Sequence, residues 1–351
     1  MKNFISVIFW MRAISCLGIV LTHSISITLG QNPNLEKNEW PTYVQIFLMF
    51  STPTFVFITE FLNAYIYGGK LKKGFFKKRL LILGIPYIFM NVFWTFSHHN
   101  PTNIIEFIDS FLLVSIRGYS VTYFIIIIFQ FYILHLIFGE VLKKVKPLPI
   151  IIVSIVITSV YWGIRLIFPA PDNFIGSIVW GKEGQTLFFG WITYFLLGYY
   201  IGIYYHSFTS KIRDYKYHII ALFIASVILV LLTHNLGINS AIGSKRIDTP
   251  IYTTAVILMF FLVNSYIKYV PKFILFISNY SFSIYLLHLI FLNRMTILSD
   301  SIFEDILYKF IITIVLAICI TYIVNLNKFG KYLVGNVVKT EHKSLNRKSL
   351  L

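Results

Sequence analysis

Ten apolar stretches of about 20 residues, separated by charged or turn-forming segments, constrain this chain more than any other feature. A helix needs roughly 20 apolar residues to cross the hydrocarbon core of a bilayer. Because 57% of the 351 residues are hydrophobic and only 13% are charged, a water-soluble fold would leave too much apolar surface exposed. The sequence therefore predicts an all-α polytopic membrane protein with about ten transmembrane helices. The predicted spans are 9–29, 43–67, 80–97, 119–139, 149–168, 186–205, 218–234, 250–267, 273–293 and 306–325.

The net charge of +16 is distributed unequally between the two sides of the membrane once these spans are placed. If the N-terminus is cytoplasmic, the inner segments carry 21 Lys and Arg residues against three acidic residues, whereas the outer loops carry six against ten. Because cytoplasmic loops are enriched in Lys and Arg, this pattern predicts that both termini are cytoplasmic. The asymmetry accounts for the positive charge without a nucleic-acid partner, and we expect none.

A single transmembrane domain is predicted over 1–325, followed by a basic cytoplasmic tail over 326–351. The tail is polar and rich in Lys and Asn, a composition typical of disordered segments or of segments lying on anionic lipid. Cys16 and Cys319 both lie inside apolar runs, which excludes a disulfide framework and a thiolate metal site. We predict no metal and no bound cofactor, and we expect the multi-pass chain in a bacterial plasma membrane.

Two ionisable residues of the first span fall on one helix face. Arg12 and His23 are eleven residues apart, and eleven steps of about 100° end about 20° past three full turns. The two side chains are then separated by about 16 Å along the helix axis. Ionisable residues inside a membrane cost roughly 2.5–3.5 kcal/mol each, so each one suggests a function. The alternatives are that Arg12 snorkels to the inner headgroups and that His23 packs between helices.

Other ionisable residues are expected to join this face. His288 lies in the outer half of the ninth span, at about the depth of His23, and Tyr285 precedes it by three residues on the same side of the helix. We predict that these three side chains meet near the outer side of the bundle. Glu60 lies in the inner half of the second span. It is expected to form an ion pair with Arg12, in a structural or a catalytic role.

Further polar and small residues carry weaker indications. Arg165, near the outer end of the fifth span, is expected to face headgroups, the alternative being the outer glycan, and Gln130 is expected to bridge helices. Tyr123 is predicted to join the aromatic belt at the membrane surface, or else to line a cavity. Gly198 and Gly202 form a small-xxx-small pair, which predicts close packing against another helix.

Three motifs, in order along the chain, resemble the acyltransferase-3 family of membrane-bound O-acyltransferases. They are WMRAISCLGIVLTHS in the first span, FFKKRLLILGIPYI at the start of the third and SFSIYLLH in the ninth. The resemblance covers about 5–325, and ten spans fit the family's domain. The stretches FFGWITYFLLGYYIGIYY and IIIIFQFYIL are most similar to a compact branch acting in staphylococcal poly-N-acetylglucosamine synthesis. Members of that branch are described both as exporters and as O-acyltransferases.

The resemblance implies an acyl-CoA-type donor that reaches the bundle from the cytoplasm. Arg12 is expected to bind the phosphates of this donor together with Lys77, Lys78 and Arg79, because clustered cations suit phosphate groups. The competing interpretation is that Lys77, Lys78 and Arg79 only set the membrane topology of the chain by interacting with anionic lipid. The acyl group is expected to be acetyl or succinyl.

The resemblance also implies roles at the outer side. His23 is expected to act as a general base on an acceptor hydroxyl or to carry the acyl group itself. Tyr285 and His288 are expected to orient His23 or to stabilise the oxyanion, and Arg12 and Glu60 complete the predicted catalytic set. The acceptor is expected to be a cell-surface polysaccharide or a lipid-linked sugar, and a polysaccharide synthase is a candidate partner. Two rival functions stay open, namely an exporter of a nascent polysaccharide and a passive scaffold.

Overall fold

The computed structural model describes residues 5–32 and 39–337, and every regular element within them is helical. This confirms the predicted all-α class. The helices are α1 (Ser6–Gln31), α2 (Trp40–Leu48), α3 (Ser51–Tyr67), α4 (Phe75–Arg79), α5 (Ile85–His99), α6 (Ile104–Ser115), α7 (Phe124–Leu142), α8 (Pro147–Ile167), α9 (Phe174–Trp180), α10 (Ile192–Ile203), α11 (Tyr205–Lys211), α12 (Lys216–Asn235), α13 (Thr249–Tyr266), α14 (Lys272–Leu292) and α15 (Ile302–Val324).

Nine helical segments of the described chain are long and apolar enough to cross a membrane. Three of them contain a break. The second span is divided between α2 and α3, a π-helical turn, Leu80–Gly84, joins α4 to α5, and a 3₁₀ turn, Ile212–Tyr215, joins α11 to α12. These nine correspond to nine of the ten predicted spans. The remaining one, 186–205, is the shorter apolar helix α10, whose 12 residues rise about 18 Å. Short 3₁₀ turns at 183–186 and 188–190 lead into it.

The centre of the bundle is formed by α1, α3, α10 and α14. Helix α10 packs tightly on α3, since a Cβ atom at Gly198 would lie 2.7 Å from the carbonyl oxygen of Phe57, and one at Gly202 would lie 2.6 Å from that of Phe61. Neither approach leaves space for a side chain. The close-packing prediction for the two glycines is confirmed, and the close approach explains why the short helix α10 is one of the most buried.

The peripheral helices carry their apolar residues outward. Only 17% of the most apolar window of Tyr205–Asn235 is buried and only 28% of that of Ile302–Val324, compared with 67% for Trp40–Tyr67. An apolar surface of this extent is stable only in hydrocarbon, so these helices face lipid.

The loops gather at two ends of the bundle. At the basic end, the turn after α3 touches the end of α7, where a Cβ atom at Gly69 would meet the carbonyl oxygen of Gly139 at 2.6 Å. At the opposite end, two segments predicted as loops contain the helices α6 and α9. Asn103 and Asn173 cap their first turns by accepting hydrogen bonds from backbone N–H groups. Which end faces the cytoplasm stays a prediction from the charge distribution.

The predicted tail is partly folded. Residues 326–337 continue from α15 through a 3₁₀ turn at Gly330–Tyr332, and Val334 is buried in the core. Asn325 ties the segment back by donating to the carbonyl oxygen of Gly335 at 3.3 Å. Leu333 and Val334 pack against the bundle, and disorder or a position on anionic lipid stays a prediction for the tail as a whole. Residues 338–351, like residues 1–4 and 33–38, lie outside the described residues.

Candidate active site

A cavity of about 620 Å³ opens at the end of the bundle opposite the basic loops. Its walls come from α1, α2, α3, α8 and α14, together with Tyr123, Gln185 and the segment 239–245. Protein sites for small molecules usually enclose about 300–1,000 Å³. The cavity is therefore of a size to take a sugar unit and an acyl group.

His23, Tyr285 and His288 all line this cavity, as the sequence predicts. The ring centroids of His23 and His288 are 5.2 Å apart, and those of Tyr285 and His288 are 5.9 Å apart. They meet because α1 and α14 are packed neighbours that place their outer halves at the same depth. The predicted convergence of these three side chains is confirmed.

One hydrogen bond fixes the protonation of the His288 ring. Its Nδ1 atom lies 2.7 Å from the carbonyl oxygen of Tyr285. A carbonyl oxygen can only accept, so Nδ1 carries the proton and Nε2 of the neutral ring keeps a free lone pair. This Nε2 atom is buried without a partner among the described residues. His23 is half-buried, and no described residue hydrogen-bonds to its ring. The pair thus holds unused proton-accepting capacity inside the cavity.

Arg12 lies deeper in the bundle and does not line the cavity. Its Nη2 atom donates to Ser281 Oγ at 3.1 Å, and Cys16 Sγ donates to the carbonyl oxygen of Ser281 at 3.5 Å. The stretch of α1 between Arg12 and His23 is therefore packed against α14. The two residues share a helix face as predicted, but the space between them is filled.

The predicted ion pair between Glu60 and Arg12 is wrong. Glu60 Oε1 instead lies 2.5 Å from Nδ1 of His135, and both side chains are buried. The reason is that α3 faces α7 at this depth, while Arg12 is turned towards Ser281. The sequence did not single out His135, because one histidine in an apolar run forms no periodic pattern with other polar residues. Glu60 does not line the cavity, and its catalytic role stays a prediction.

The cationic cluster at the start of the third span divides into two parts. Lys77 and Lys78 are exposed at the basic end. Arg79 is half-buried, donates to Asn63 Oδ1 at 3.1 Å and lies over the rings of Phe75 and Tyr132. None of the three cations reaches the cavity, so phosphate binding by them stays a prediction. In the described part of the chain, no group of His, Cys, Asp and Glu residues is arranged to hold a metal ion.

Two residues expected at the membrane surface face the cavity instead. Arg165 donates to the carbonyl oxygens of Trp180 and Gly181, each at 3.2 Å, so the prediction that it faces headgroups is wrong. Tyr123 lines the cavity, the second of its two predicted places, and Lys245 Nζ lies 4.6 Å from its ring centroid. Both differences have one cause: the segment 174–190 folds inward and covers these side chains.

Gln130 holds this inward segment, which confirms its predicted bridging role. It donates to the carbonyl oxygen of Thr186 at 2.8 Å and accepts from the backbone N–H of Phe188 at 3.0 Å. Non-helical backbone at membrane depth needs such partners, because hydrocarbon offers none. Trp162 adds one more by donating to the carbonyl oxygen of Gly190 at 3.0 Å.

The loop 236–248, which forms one cavity wall, is fixed by a buried ion pair. Arg246 Nη2 lies 2.6 Å from Asp248 Oδ2, and Arg246 Nη1 donates to the carbonyl oxygens of Asn239 and Ala241 at 2.8 and 2.9 Å. Sequence analysis missed this pair, although the loop is the one outer segment with a slight excess of positive charge. The Arg246 guanidinium therefore holds several points of the loop together by hydrogen bonds.

A further buried ion pair holds the end of α1 nearest to the cavity. Lys309 Nζ lies 2.5 Å from Asp305 Oδ2 and 2.6 Å from Gln31 Oε1. Thr28 Oγ1 donates to Asp305 Oδ2 at 2.6 Å. These contacts join α15 to the last turns of α1, only a short distance beyond His23, and so fix the position of the cavity histidine.

Comparison with known proteins agrees with this arrangement. The acyltransferase domain family, acyltransferase-3, matches residues 6–326. The chain belongs to this family. It is 35% identical over 356 residues to the Bacillus subtilis protein named "Putative membrane-bound acyltransferase YfiQ", with 96% of each chain covered.

Other relatives carry a different name. The "Probable poly-beta-1,6-N-acetyl-D-glucosamine export protein" of Staphylococcus aureus strain MSSA476 is 26% identical over 304 residues, covering 84% of each chain. The Staphylococcus epidermidis protein of the same name is 26% identical over 333 residues, covering 91% of this chain and 90% of its own. No solved structure matches this chain. The protein is thus a multi-pass membrane protein of the acyltransferase-3 family.

Proposed function

We propose that this protein transfers an acetyl or succinyl group from an acyl-CoA-type donor at the basic end to a hydroxyl at the opposite end. The acceptor hydroxyl belongs to a cell-surface polysaccharide or a lipid-linked sugar, and the membrane is a bacterial plasma membrane. The observation that carries the proposal is the pairing of His23 and His288 in one cavity, with proton-accepting nitrogen atoms unused. The family to which the chain belongs supports acyl transfer as the reaction.

The chemistry follows from the protonation of the histidines. The acceptor hydroxyl donates its proton to a ring nitrogen of His23 as its oxygen attacks the thioester carbonyl. The C–O bond forms, the C–S bond breaks, and the leaving thiolate takes up a proton, which gives an ester and a free thiol. His288 Nε2 can accept from the other ring nitrogen of His23 and so keep the reacting nitrogen unprotonated. In this mechanism the Tyr285 side chain, which lies beside His288, stabilises the oxyanion.

The donor must reach His23 from the basic end. Lys77 and Lys78 are exposed there and suit the phosphates of the donor, while Arg12 lies between that end and the cavity. Because α1 and α14 are in contact at Ser281, the acyl arm can pass only if that contact opens. His23 can alternatively take the acyl group onto a ring nitrogen and pass it to the acceptor.

Replacement of the cavity histidine tests the proposal. In vesicles with radiolabelled acetyl-CoA or succinyl-CoA, we expect His23→Ala to lower transfer at least about 10²-fold, the usual contribution of a general base. His218→Ala is the matched control, because His218 is exposed on α12 away from the cavity. Thermal unfolding in detergent shows whether both variants are folded. A folded His23→Ala variant that transfers acyl groups like the wild type would contradict the mechanism.

A second candidate function is export of a nascent polysaccharide, which the names of the staphylococcal relatives favour. The two candidates differ in what happens to the glycan when this protein is removed from its cell. Mass analysis of the surface glycan then shows either exported glycan without O-acyl groups, as expected for an acyltransferase, or glycan trapped inside, as expected for an exporter. Normal glycan from a double variant of Arg12 and His23 would favour the scaffold alternative.

A further inference from the structure

Among the described residues, the wall of the cavity around His23 carries positively charged side chains and no acidic one. Lys245, from the loop 236–248, and Arg165, from α8, both line it. Gln185, Asn239 and several hydroxyl side chains supply the remaining polar groups, and no Asp or Glu is among the lining residues. A site for a neutral sugar alone does not need two cations, because hydroxyl groups are recognised equally well by amides and carbonyls.

Neither cation forms an ion pair with an acidic side chain of the described residues. Lys245 donates to the amide oxygen of Gln185 and lies over the ring of Tyr123. Arg165 donates to two backbone carbonyl oxygens and, at 3.5 Å, to the hydroxyl of Tyr161. The ion pairs found among the described residues involve other cations, namely Arg117, His135, Lys143, Arg246 and Lys309.

The unpaired state costs free energy, which a bound anion would offset. Burial, together with the like charges of Arg165 and Lys182, lowers the pKa of Lys245 to about 8. A positive charge held in a partly buried place without a counter-charge is unfavourable unless a ligand supplies the counter-charge. Arg165 has a structural use, since it holds the backbone at 180–181. Lys245 contacts only the Gln185 amide and the Tyr123 ring, and neither group supplies a counter-charge.

We propose that Lys245 and Arg165 form a subsite for a negatively charged group, a carboxylate or a phosphate, carried by one of the two molecules that meet at His23. The assignment of this ligand to the reaction rests on the proposed function. The charge has two possible sources, a phosphorylated or acidic acceptor and an acyl chain that ends in a carboxylate. Both sources require the same recognition chemistry, a charge-assisted hydrogen bond from Nζ and the guanidinium.

A binding experiment tests the subsite without any transfer. The full chain, purified in detergent, is titrated by calorimetry at pH 7 with N-acetylglucosamine 1-phosphate and with neutral N-acetylglucosamine, then with succinate and with its neutral diamide. We expect the anionic member of at least one pair to bind about tenfold more tightly, and Lys245→Gln to remove about tenfold of that preference. Arg294→Gln is the matched control, because Arg294 is a cation at the same end that does not line the cavity. Equal binding of both members in each pair, or an unchanged preference in Lys245→Gln, would overturn the proposal.

A transfer experiment then identifies the source of the charge. If the acyl chain carries it, the wild type prefers succinyl-CoA over acetyl-CoA and Lys245→Gln loses this preference. If the acceptor carries it, Lys245→Gln raises the KM for the phosphorylated acceptor equally with both donors. Absence of transfer from either donor would count against the proposed function, whereas the calorimetric comparison would still decide the subsite.

Discussion

A backbone carbonyl group of its own helix fixes the orientation of the His288 ring. Its Nδ1–H donates a hydrogen bond to the carbonyl oxygen of Tyr285, one turn earlier in the same helix. Because this hydrogen bond involves no ligand, the ring presents Nε2 as an acceptor in the cavity both with and without a bound ligand. A histidine that served only to pack between helices would not need to leave this lone pair unused in a buried place, where unsatisfied polar atoms are unfavourable.

Two amide replacements of His288 separate its two nitrogen atoms. In His288→Asn the short amide can keep the hydrogen bond to the Tyr285 carbonyl but cannot reach the position of Nε2. In His288→Gln the longer amide places an oxygen near that position. If Nε2 accepts a proton or hydrogen bond during transfer, we expect Asn to lower kcat about 10²-fold and Gln to lower it several-fold less. The measurement is single-turnover transfer, with unfolding temperatures as the check on folding. Equal losses in both variants would indicate a packing role.

The charge on Lys245 predicts a pH dependence of anion binding. Its pKa of about 8 lies below the ordinary value, so the ammonium group is present below pH 8 and is lost as the pH rises above it. We therefore expect the affinity for N-acetylglucosamine 1-phosphate to fall about tenfold between pH 7 and pH 9.5. The charged groups that act on Lys245 within the protein are Arg165 and Lys182.

Lys245→Gln provides the control for this titration. Its affinity is expected to be weaker than that of the wild type and flat from pH 7 to pH 9.5. Calorimetry at several pH values measures both proteins. An equal fall in both would assign the titration to another group.

At the scale of the helices, hydropathy predicted which segments cross the membrane but not how some of them do so. The predicted spans match nine long helices because each is a continuous apolar run of sufficient length. Hydropathy did not predict that the segment 174–190 folds inward. Its inward fold depends on Gln130 and Trp162, which lie in two other helices and offer hydrogen bonds that no local pattern reveals.

The short helix α10 gives a prediction at this scale. We expect Gly198→Ala to lower the free energy of unfolding by about 1–3 kcal/mol, because the added methyl group meets the Phe57 carbonyl oxygen at 2.7 Å and forces α10 away from α3. The matched control is Gly30→Ala in α1, where a Cβ atom meets nothing within 4 Å. That change is expected to be neutral or slightly stabilising, since alanine favours the helix. Denaturant unfolding in detergent measures both, and equal stabilities would contradict the packing argument.

For the whole molecule, several features missed in the sequence join residues that are far apart in the chain. The shared face of Arg12 and His23 was predictable because it is a property of one helix. The pairs His135 with Glu60 and Lys309 with Thr28 were not, because they join residues far apart in the chain. Buried polar residues in a membrane find partners across helices, and a single sequence records only that each one needs a partner.

The orientation of the bundle is the whole-molecule property on which the proposed route of the acyl group depends. The described loops with most of the Lys and Arg residues gather at one end, and the cavity opens at the other. If the positive-inside rule holds, Asp300→Cys, at the cavity end, reacts with a membrane-impermeant maleimide in intact cells, and Lys144→Cys reacts only after permeabilisation. Both positions are exposed. The unsubstituted chain is the control, because Cys16 is buried and Cys319 lies on an apolar helix, where a thiol stays unreactive. The reverse labelling pattern would place the cavity in the cytoplasm, and a surface glycan could then not be the acceptor.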